Sequence, residues 1–438
     1  MASNDPSSDL ISLPTDQLQQ ILSFVTIHEF LALSQTSKSI HNMIDLAHHL
    51  CYQGSDYDQK MGRINRNKGH ADLRRSMPNI ANMDPISSHE FEKRAVHHRS
   101  DLTVTKLTHC LNRFHYLRTL QLYRMEHIGD KFLPILNAAP TKFYLTHLKL
   151  HNVRIVKDAY TLNLPDDRLS HVELDGVIFC TYKVLKSFTT SRNLQVLNMS
   201  GCRALKDADV HDIIRRQNEF QKLRELVLEN CSTIVAPNIA CHTLIRLSLA
   251  RCNMLRDLSL ISCTNLVHVD LSYCSLITDS TFKALIRQNA NIQKLSLKGV
   301  RGVASIDLRS DCLQELDLSM CIGLKDCNID CRAMVMLEMG MCVKLDRLNL
   351  TLSSIQMLDL SMLSMRQIAI NARKLKTLNF SGCCKLTSIE EFSCPALELL
   401  DISGTNLCRK DFYLSKQTKT KIRTGGEVHD WTNPFTSL

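Results

Sequence analysis

Large aromatic side chains are scarce: Trp431 is the one tryptophan, and Phe, Tyr and Trp together make up 5% of 438 residues. A core made from this chain must therefore be aliphatic. No apolar run reaches the roughly eighteen residues that a conventional helical membrane span needs, so no membrane association is expected. The opening MASNDPSSDL is polar and offers no apolar stretch for a signal peptide, so secretion is not expected either. Phosphate-cradling patterns of the GxxxxGK[ST] or GxGxxG type are missing. His28 and His89 each open a His-Glu-Phe, but Ala32 and Lys93 stand where a zinc-protease helix needs its second histidine. Neither a nucleophile elbow nor a triad pattern occurs. The chain is thus not expected to be an enzyme or to hold a cofactor or metal.

Cysteine, by contrast, is abundant, with 18 residues. Without a secretion signal these fit reduced thiols better than a disulfide framework, which points to the cytoplasm or nucleus. Eight of them (Cys202, Cys231, Cys252, Cys263, Cys274, Cys321, Cys342 and Cys383) are read as occupying one repeated structural position. There a buried thiol would serve as a small hydrophobe with a weak donor. Cys327 and Cys331, with Asp326 and Asp330, have half the spacing of a metal site and no matching half; a repeat turn accounts for them equally well.

From Leu117 the chain repeats Leu-x-x-Leu-x-Leu-x-x-Cys or a close variant. Thirteen copies run to the one that begins at Leu397, with 20 to 29 residues between successive starts. That spacing is the leucine-rich-repeat range. Alternation within each copy predicts a short strand: in Leu197-Asn-Met-Ser200, Leu197 and Met199 face the core and Asn198 and Ser200 face out. Long copies have room for a helical return, as in Asp207–Leu223 and Asp279–Ile292. Copies near 21 residues hold a second strand-like line instead, as at Leu255–Leu260, Val303–Leu308 and Leu345–Leu350.

Ahead of the repeats, residues 10–49 read as three short helices. Pro14 suits a first helical turn. Leu18, Ile21 and Leu22 follow helical spacing, Phe30, Leu31 and Leu33 make a second apolar cluster, and Ile40, Met43 and Ile44 a third. A module of this size buries little apolar surface alone and calls for a partner. The block resembles an F-box: Leu13-Pro14 matches the family's opening, Ile21, Leu22, Ser23 and Phe24 its core, and Leu31 to Ser34 its Leu-x-Leu-Ser turn. Ile40 stands where the family often carries tryptophan. The resemblance, F-box followed by leucine-rich repeats, implies an α/β solenoid: a leucine-rich-repeat horseshoe behind a small three-helix module. The expected organisation is an F-box at 9–50, a basic and partly disordered linker at 51–105, a solenoid at 106–410 and a C-terminal cap or tail at 411–438.

Charge is unevenly spread over a net +9. The first fifty residues hold five carboxylates and one lysine, residues 51–120 a basic surplus of five, and the tail after Thr405 a basic surplus of three. The linker's cluster (Lys60, Arg63, Arg66, Lys68, Arg74, Arg75) fits either a solvated segment or a contact with a partner or localisation receptor. A surplus this mild does not argue for nucleic acid. Trp431 would close the last coil or stand as an exposed anchor.

The F-box resemblance implies a substrate-recognition subunit of a Skp–cullin–F-box ubiquitin ligase. Leu13, Pro14, Ile21, Leu22, Phe24, Leu31 and Leu33 would then engage a Skp-type adaptor, and through it a cullin-RING ligase. A protein target would bind the concave repeat face, at His268, Asp270, Asp317, Met336, Glu338, Met357, Asp359 and Asp401. The acidic line among these suits a target with a basic segment, with the methionines as adaptable apolar contacts. Alternatively Leu-Asp-Leu-Ser is a plain repeat consensus whose carboxylates stay solvated, and the chain is an interaction scaffold with no ubiquitin role.

Overall fold

The computed structural model describes residues 49–53, 104–113, 117–123, 129–155, 161–165, 167–179, 182–260, 262–408, 411–412 and 420–424. The chain divides into two compact units, Met1–Ala204 and Leu205–Leu438. Among the described residues no helix is long and apolar enough to cross a membrane.

In the first unit, β1 (His49–Gln53), β2 (Thr119–Tyr123), β3 (His147–His151), β5 (His171–Asp175) and β7 (Val196–Asn198) pair in parallel. Their register stacks Leu120 on Leu148, Val172 and Leu197. A second line pairs β4 (Arg154–Ile155) with β6 (Ile178–Phe179). The helices α1 (Val104–Arg113), α2 (Gly129–Ala138) and α3 (Tyr182–Ser187) return the chain between strands.

The second unit repeats the scheme with shorter strands. Its parallel ladder runs β8 (Glu225–Val227), β9 (Arg246–Ser248), β10 (His268–Asp270), β11 (Lys294–Ser296), β13 (Glu315–Asp317), β15 (Met336–Glu338), β17 (Met357–Asp359), β19 (Thr377–Asn379), β21 (Leu399–Asp401) and β22 (Lys421–Arg423). Each of the thirteen sequence repeats supplies one strand, from β2 to β21. Two long repeats return through α4 (Asp207–Phe220) and α5 (Asp279–Gln288). Most of the shorter ones carry the second strand that the spacing predicts: β12 (Ser305–Arg309), β14 (Asp326–Asp330) and β16 (Arg347–Thr351) form one sheet, β18 (Gln367–Asn371) and β20 (Ser388–Ser393) another. At Leu255–Leu260, where the sequence also predicts a second line, the return is extended but makes only one isolated bridge, Ser259 to Asn238, and no strand. About twenty-one residues are too few to hold a strand, two turns and a full helix, so the return is extended.

The core follows from the period. Leu313, Leu316, Leu318 and Cys321 are closed to solvent, as are their counterparts Leu244, Leu247, Leu249 and Cys252. Each enclosed leucine contributes roughly 1.5–3 kcal/mol, and no single coil encloses its own. First-turn carboxylates of the return helices tie coil to coil. Asp207 accepts the amides of Val235 and Ala236 at 3.0 and 2.9 Å, and Asp279 accepts that of Ala304 at 2.7 Å.

One backbone device closes the turn after the strand. Asn152, Asn230, Arg251, Tyr273, Met320, Met341 and Met362 all have positive φ, and Gly176, Gly201, Gly299, Gly382 and Gly404 take the same place in other coils. The left-handed conformation costs a non-glycine residue about 1–2 kcal/mol. The geometry aims each amide at the next coil: Met320 donates to Gly340 at 2.7 Å, Met341 to Ser361 at 2.9 Å and Met362 to Ser381 at 2.8 Å.

The following residue drops into the core, and there the thiols sit. Cys202, Cys252, Cys274, Cys321, Cys342 and Cys383 donate Sγ–H to Leu174, Leu228, Leu249, Leu297, Leu318 and Leu360 carbonyls of the preceding coil, at 3.0–3.5 Å. A buried slot lined by one carbonyl suits a thiol, a small hydrophobe with a weak donor. The expectation of eight equivalent cysteines needs one correction. Cys263 follows a different positive-φ residue, Ser262, at the second turn of its coil, where it donates to Ile239. Its local motif, Leu258-Ser-Leu-Ile-Ser-Cys263, copies the first turn and hides the difference. On β14 the alternation points Cys327 and Ile329 inward and Asp326, Asn328 and Asp330 outward, which parts the thiol from the carboxylates.

None of the cysteines whose side chains are described forms a disulfide. Burial raises the thiol pKa to about 11 at Cys252 and about 12 at Cys274 and Cys342. A small alkylating reagent acting on the native protein at neutral pH should therefore modify exposed Cys384 and Cys408 well ahead of Cys252, Cys274 and Cys342; peptide mass mapping reads the order.

Candidate protein-binding face

The register sorts the outward side chains of the second unit into rows. One row reads Glu225, Arg246, His268, Lys294, Glu315, Met336, Met357, Thr377, Leu399 and Lys421. The next reads Val227, Ser248, Asp270, Ser296, Asp317, Glu338, Asp359, Asn379, Asp401 and Arg423. His268, Asp270, Asp317, Met336, Glu338 and Asp359, expected from sequence to bind a target, are half-buried and share this face. Met357 and Asp401 differ: they are 6% and 9% exposed, so neither offers an open contact. Side chains on parallel strands under 5 Å apart cover one another, and period-two reasoning cannot register that.

An open trough of about 340 Å³ crosses the N-terminal half of these rows, lined among others by Glu225, Arg246, His268, Asp270, Lys294, Glu315 and Asp317. Lys294 is ion-paired to Glu315 at 2.9 Å. The pKa of His268 is lowered by burial, then by the charges of Arg246 and Lys294, with Glu315 opposing. The imidazole is therefore neutral at neutral pH, and can offer one donor and one acceptor. Arg246, Lys294 and Glu315 were not among the expected target contacts. Their signal was present, since each lies two residues past its repeat's first apolar position.

The acidic row has a structural duty that its spacing did not disclose. Asp270 Oδ1 accepts from the Ser272 amide at 2.8 Å and from its hydroxyl at 2.5 Å. Asp317, Asp359 and Asp401 accept the amides of Ser319, Ser361 and Ser403 at 2.8, 2.9 and 3.0 Å. Asn379 and Asn198 do the same with Ser381 and Ser200, so the bond needs an oxygen acceptor and not a charge. Each Leu-Asp-Leu-Ser thus ends its strand with a side-chain acceptor for the amide that leaves the ladder. One oxygen of each carboxylate is committed in this way, and the charge remains on the face.

The first unit's corresponding face is internally knit. His147 stacks on His171 with centroids 4.1 Å apart, and Lys149 pairs with Glu173 at 2.6 Å. Leu13, Pro14, Ile21, Leu22, Phe24, Leu31 and Leu33, expected to meet an adaptor, lie outside the described residues, as do Trp431 and the linker cluster.

Residues 10–50 match the family model of the F-box domain. No curated protein sequence matches the chain. Solved structures to which it is similar include the Rad7–Elc1 complex from yeast, at 12% identity over 72% of this chain and 77% of that one, with a TM-score of 0.31. The TLR13–ssRNA13 complex matches at 13% identity over 73% and 68%, with a TM-score of 0.22. A leucine-rich repeat protein from Bacteroides ovatus matches at 14% identity over 65% and 84%, with a TM-score of 0.19.

Burial raises the Asp359 pKa, helped by the charge of Asp317 and opposed by hydrogen bonds from Ser361 and Asn379. A raised folded-state pKa means that the group's stabilising contribution is full at low pH and lost as pH climbs through the folded pKa. Asp359→Asn keeps an acceptor for Ser361 and removes the charge. The variant should gain stability over the parent at neutral pH, and the gain should shrink under mild acid; denaturant unfolding at the two pH values measures it.

Proposed function

We propose that this chain, an F-box domain followed by a leucine-rich-repeat solenoid, is the substrate-recognition subunit of a Skp–cullin–F-box ubiquitin ligase. The observation that carries the reading is the F-box match at residues 10–50, ahead of a parallel ladder that displays rows of mixed polar side chains. Leu13, Pro14, Ile21, Leu22, Phe24, Leu31 and Leu33 engage the Skp-type adaptor, directly or by holding the helices in shape. The second unit's strand-lined face, around His268, Asp270, Asp317, Met336, Glu338 and Asp359, holds a protein target that carries a basic segment. The subunit performs no bond chemistry. It keeps the target beside a ubiquitin-charged enzyme and raises the effective concentration of its lysines.

The first test is co-purification with a Skp-type adaptor, comparing the intact chain with the double variant Leu13→Ala, Pro14→Ala. Adaptor capture by the parent, and its loss in a variant of unchanged circular dichroism, supports the reading. A parent chain that captures no adaptor overturns it in favour of a repeat scaffold without a ubiquitin role.

The target face calls for a separate variant. Reversing Asp317 and Asp359 to lysine would also remove acceptors that end two strands, so neutralisation is the cleaner change. The pair Asp317→Asn, Asp359→Asn should leave adaptor capture intact. It should also reduce recovery of ubiquitin-conjugated partners under proteasome blockade by about ten-fold or more, the scale of a lost charge-complementary contact. Unchanged recovery would remove the acidic row from the target site.

A further inference from the structure

Three consecutive coils carry methionine at the positive-φ turn. That position is glycine or asparagine in seven of the coils described above, residues that take a left-handed backbone readily. In the coils of β13, β15 and β17 it is Met320, Met341 and Met362. These side chains are 36%, 41% and 51% exposed, and Ile322 and Val343 beside them are 38% and 44% exposed. Nothing in the backbone requires methionine, because each of these amides makes the same inter-coil bond that Gly299 and Asn230 make elsewhere. Tyr273 extends the line. Its ring lies over Gly299, where a Cβ would clash with it, and its hydroxyl reaches Met320 Sδ at 3.8 Å. Arg251 lies over the same ring, 5.3 Å from its centroid.

The result is an exposed apolar ridge along the C-terminal end of the strands. On the same coils, one step inside it, runs the acidic row of Asp317, Glu338 and Asp359, and between the two lie only Ser319, Gly340 and Ser361. Each coil repeats this cross-section of carboxyl, small residue and methionine at strand spacing.

We propose that the ridge is a docking surface for an amphipathic segment of a partner protein, whose apolar side chains lie on Met320, Met341 and Met362 and whose lysines or arginines meet Asp317, Glu338 and Asp359. Charge complementarity selects this occupant over an acidic or purely apolar one. Burial raises the pKa of Asp359 and the charge of Asp317 adds a smaller part; that like-charge part is what a bound cation relieves. Unbranched thioethers adapt to varied apolar partners, which suits a surface that must accept a segment and not a single side chain. The inference rests on the target-face reading above and names the chemistry of that target.

The test uses the full chain and labelled short peptides that alternate Leu with Lys, Ser with Lys, or Leu with Glu, with binding read by fluorescence anisotropy. Leu-Lys should bind best, by about ten-fold over either of the others. The triple variant Met320→Asn, Met341→Asn, Met362→Asn uses a residue already found at this turn, Asn152 and Asn230. It should keep or raise the Tm and lose the preference for Leu over Ser, while Asp317→Asn with Asp359→Asn should lose the preference for Lys over Glu. Equal binding of Leu-Lys and Ser-Lys, no binding at all, or Leu-Lys affinity unchanged in the asparagine variant overturns the proposal. So does a lowered Tm in that variant, since the methionines would then be packing and not a surface. Peptide preferences that survive in a chain unable to capture the adaptor would sink the ligase reading and uphold the ridge.

Discussion

The described repeats depend on stacking coil on coil in register. A three-residue strand has no stability alone, and its apolar residues are covered only when the coils before and after supply the same pattern at the same height. The turn after the strand enforces that height. A positive φ there sends an amide to the next coil and lets the following side chain drop inward onto a carbonyl of the coil before. Leucines supply the free energy, but this turn fixes their alignment.

The abundance of cysteine follows from the same constraint. The inward step after the positive-φ residue leaves a buried slot that faces a backbone oxygen of the preceding coil. A thiol fills it and satisfies the oxygen weakly; valine or leucine fill it where no such bond is made, as at Val300 and Leu363. Burial holds these thiols protonated, so their chemistry is suppressed as a consequence of their packing.

The strand-end aspartates show how one residue serves both fold and face. An oxygen acceptor is needed to finish the strand, and asparagine satisfies that need in Asn198 and Asn379. Where aspartate is used, the fold gains nothing from the charge, and in Asp359 the charge is disfavoured by its surroundings. A charge retained without structural benefit, beside three methionines held in a backbone conformation that disfavours them, points to a surface kept for contact with another molecule.

Much of this was legible in the sequence, because the repeat is a local code. Leu-x-x-Leu-x-Leu names the strand, its inward residues and its outward residues without knowledge of any neighbour, and the thirteen ladder strands from β2 to β21 fell where that code placed them. Repeat length told the full helical returns α4 and α5 from the extended returns of the shortest repeats, as a matter of chain reach. Three things were decided only by the tertiary structure. Cys263 shares the local motif of the turn cysteines and belongs to another turn, because which turn a segment makes depends on where its coil already stands. Met357 and Asp401 point outward and are covered, because exposure depends on side chains from adjacent coils. The methionine ridge exists only as a stack, since no single coil shows that its turn residue lines up with the same residue in the next. Period and composition are properties of one strand of text; burial, alignment and shared surfaces are properties of neighbours brought together by folding.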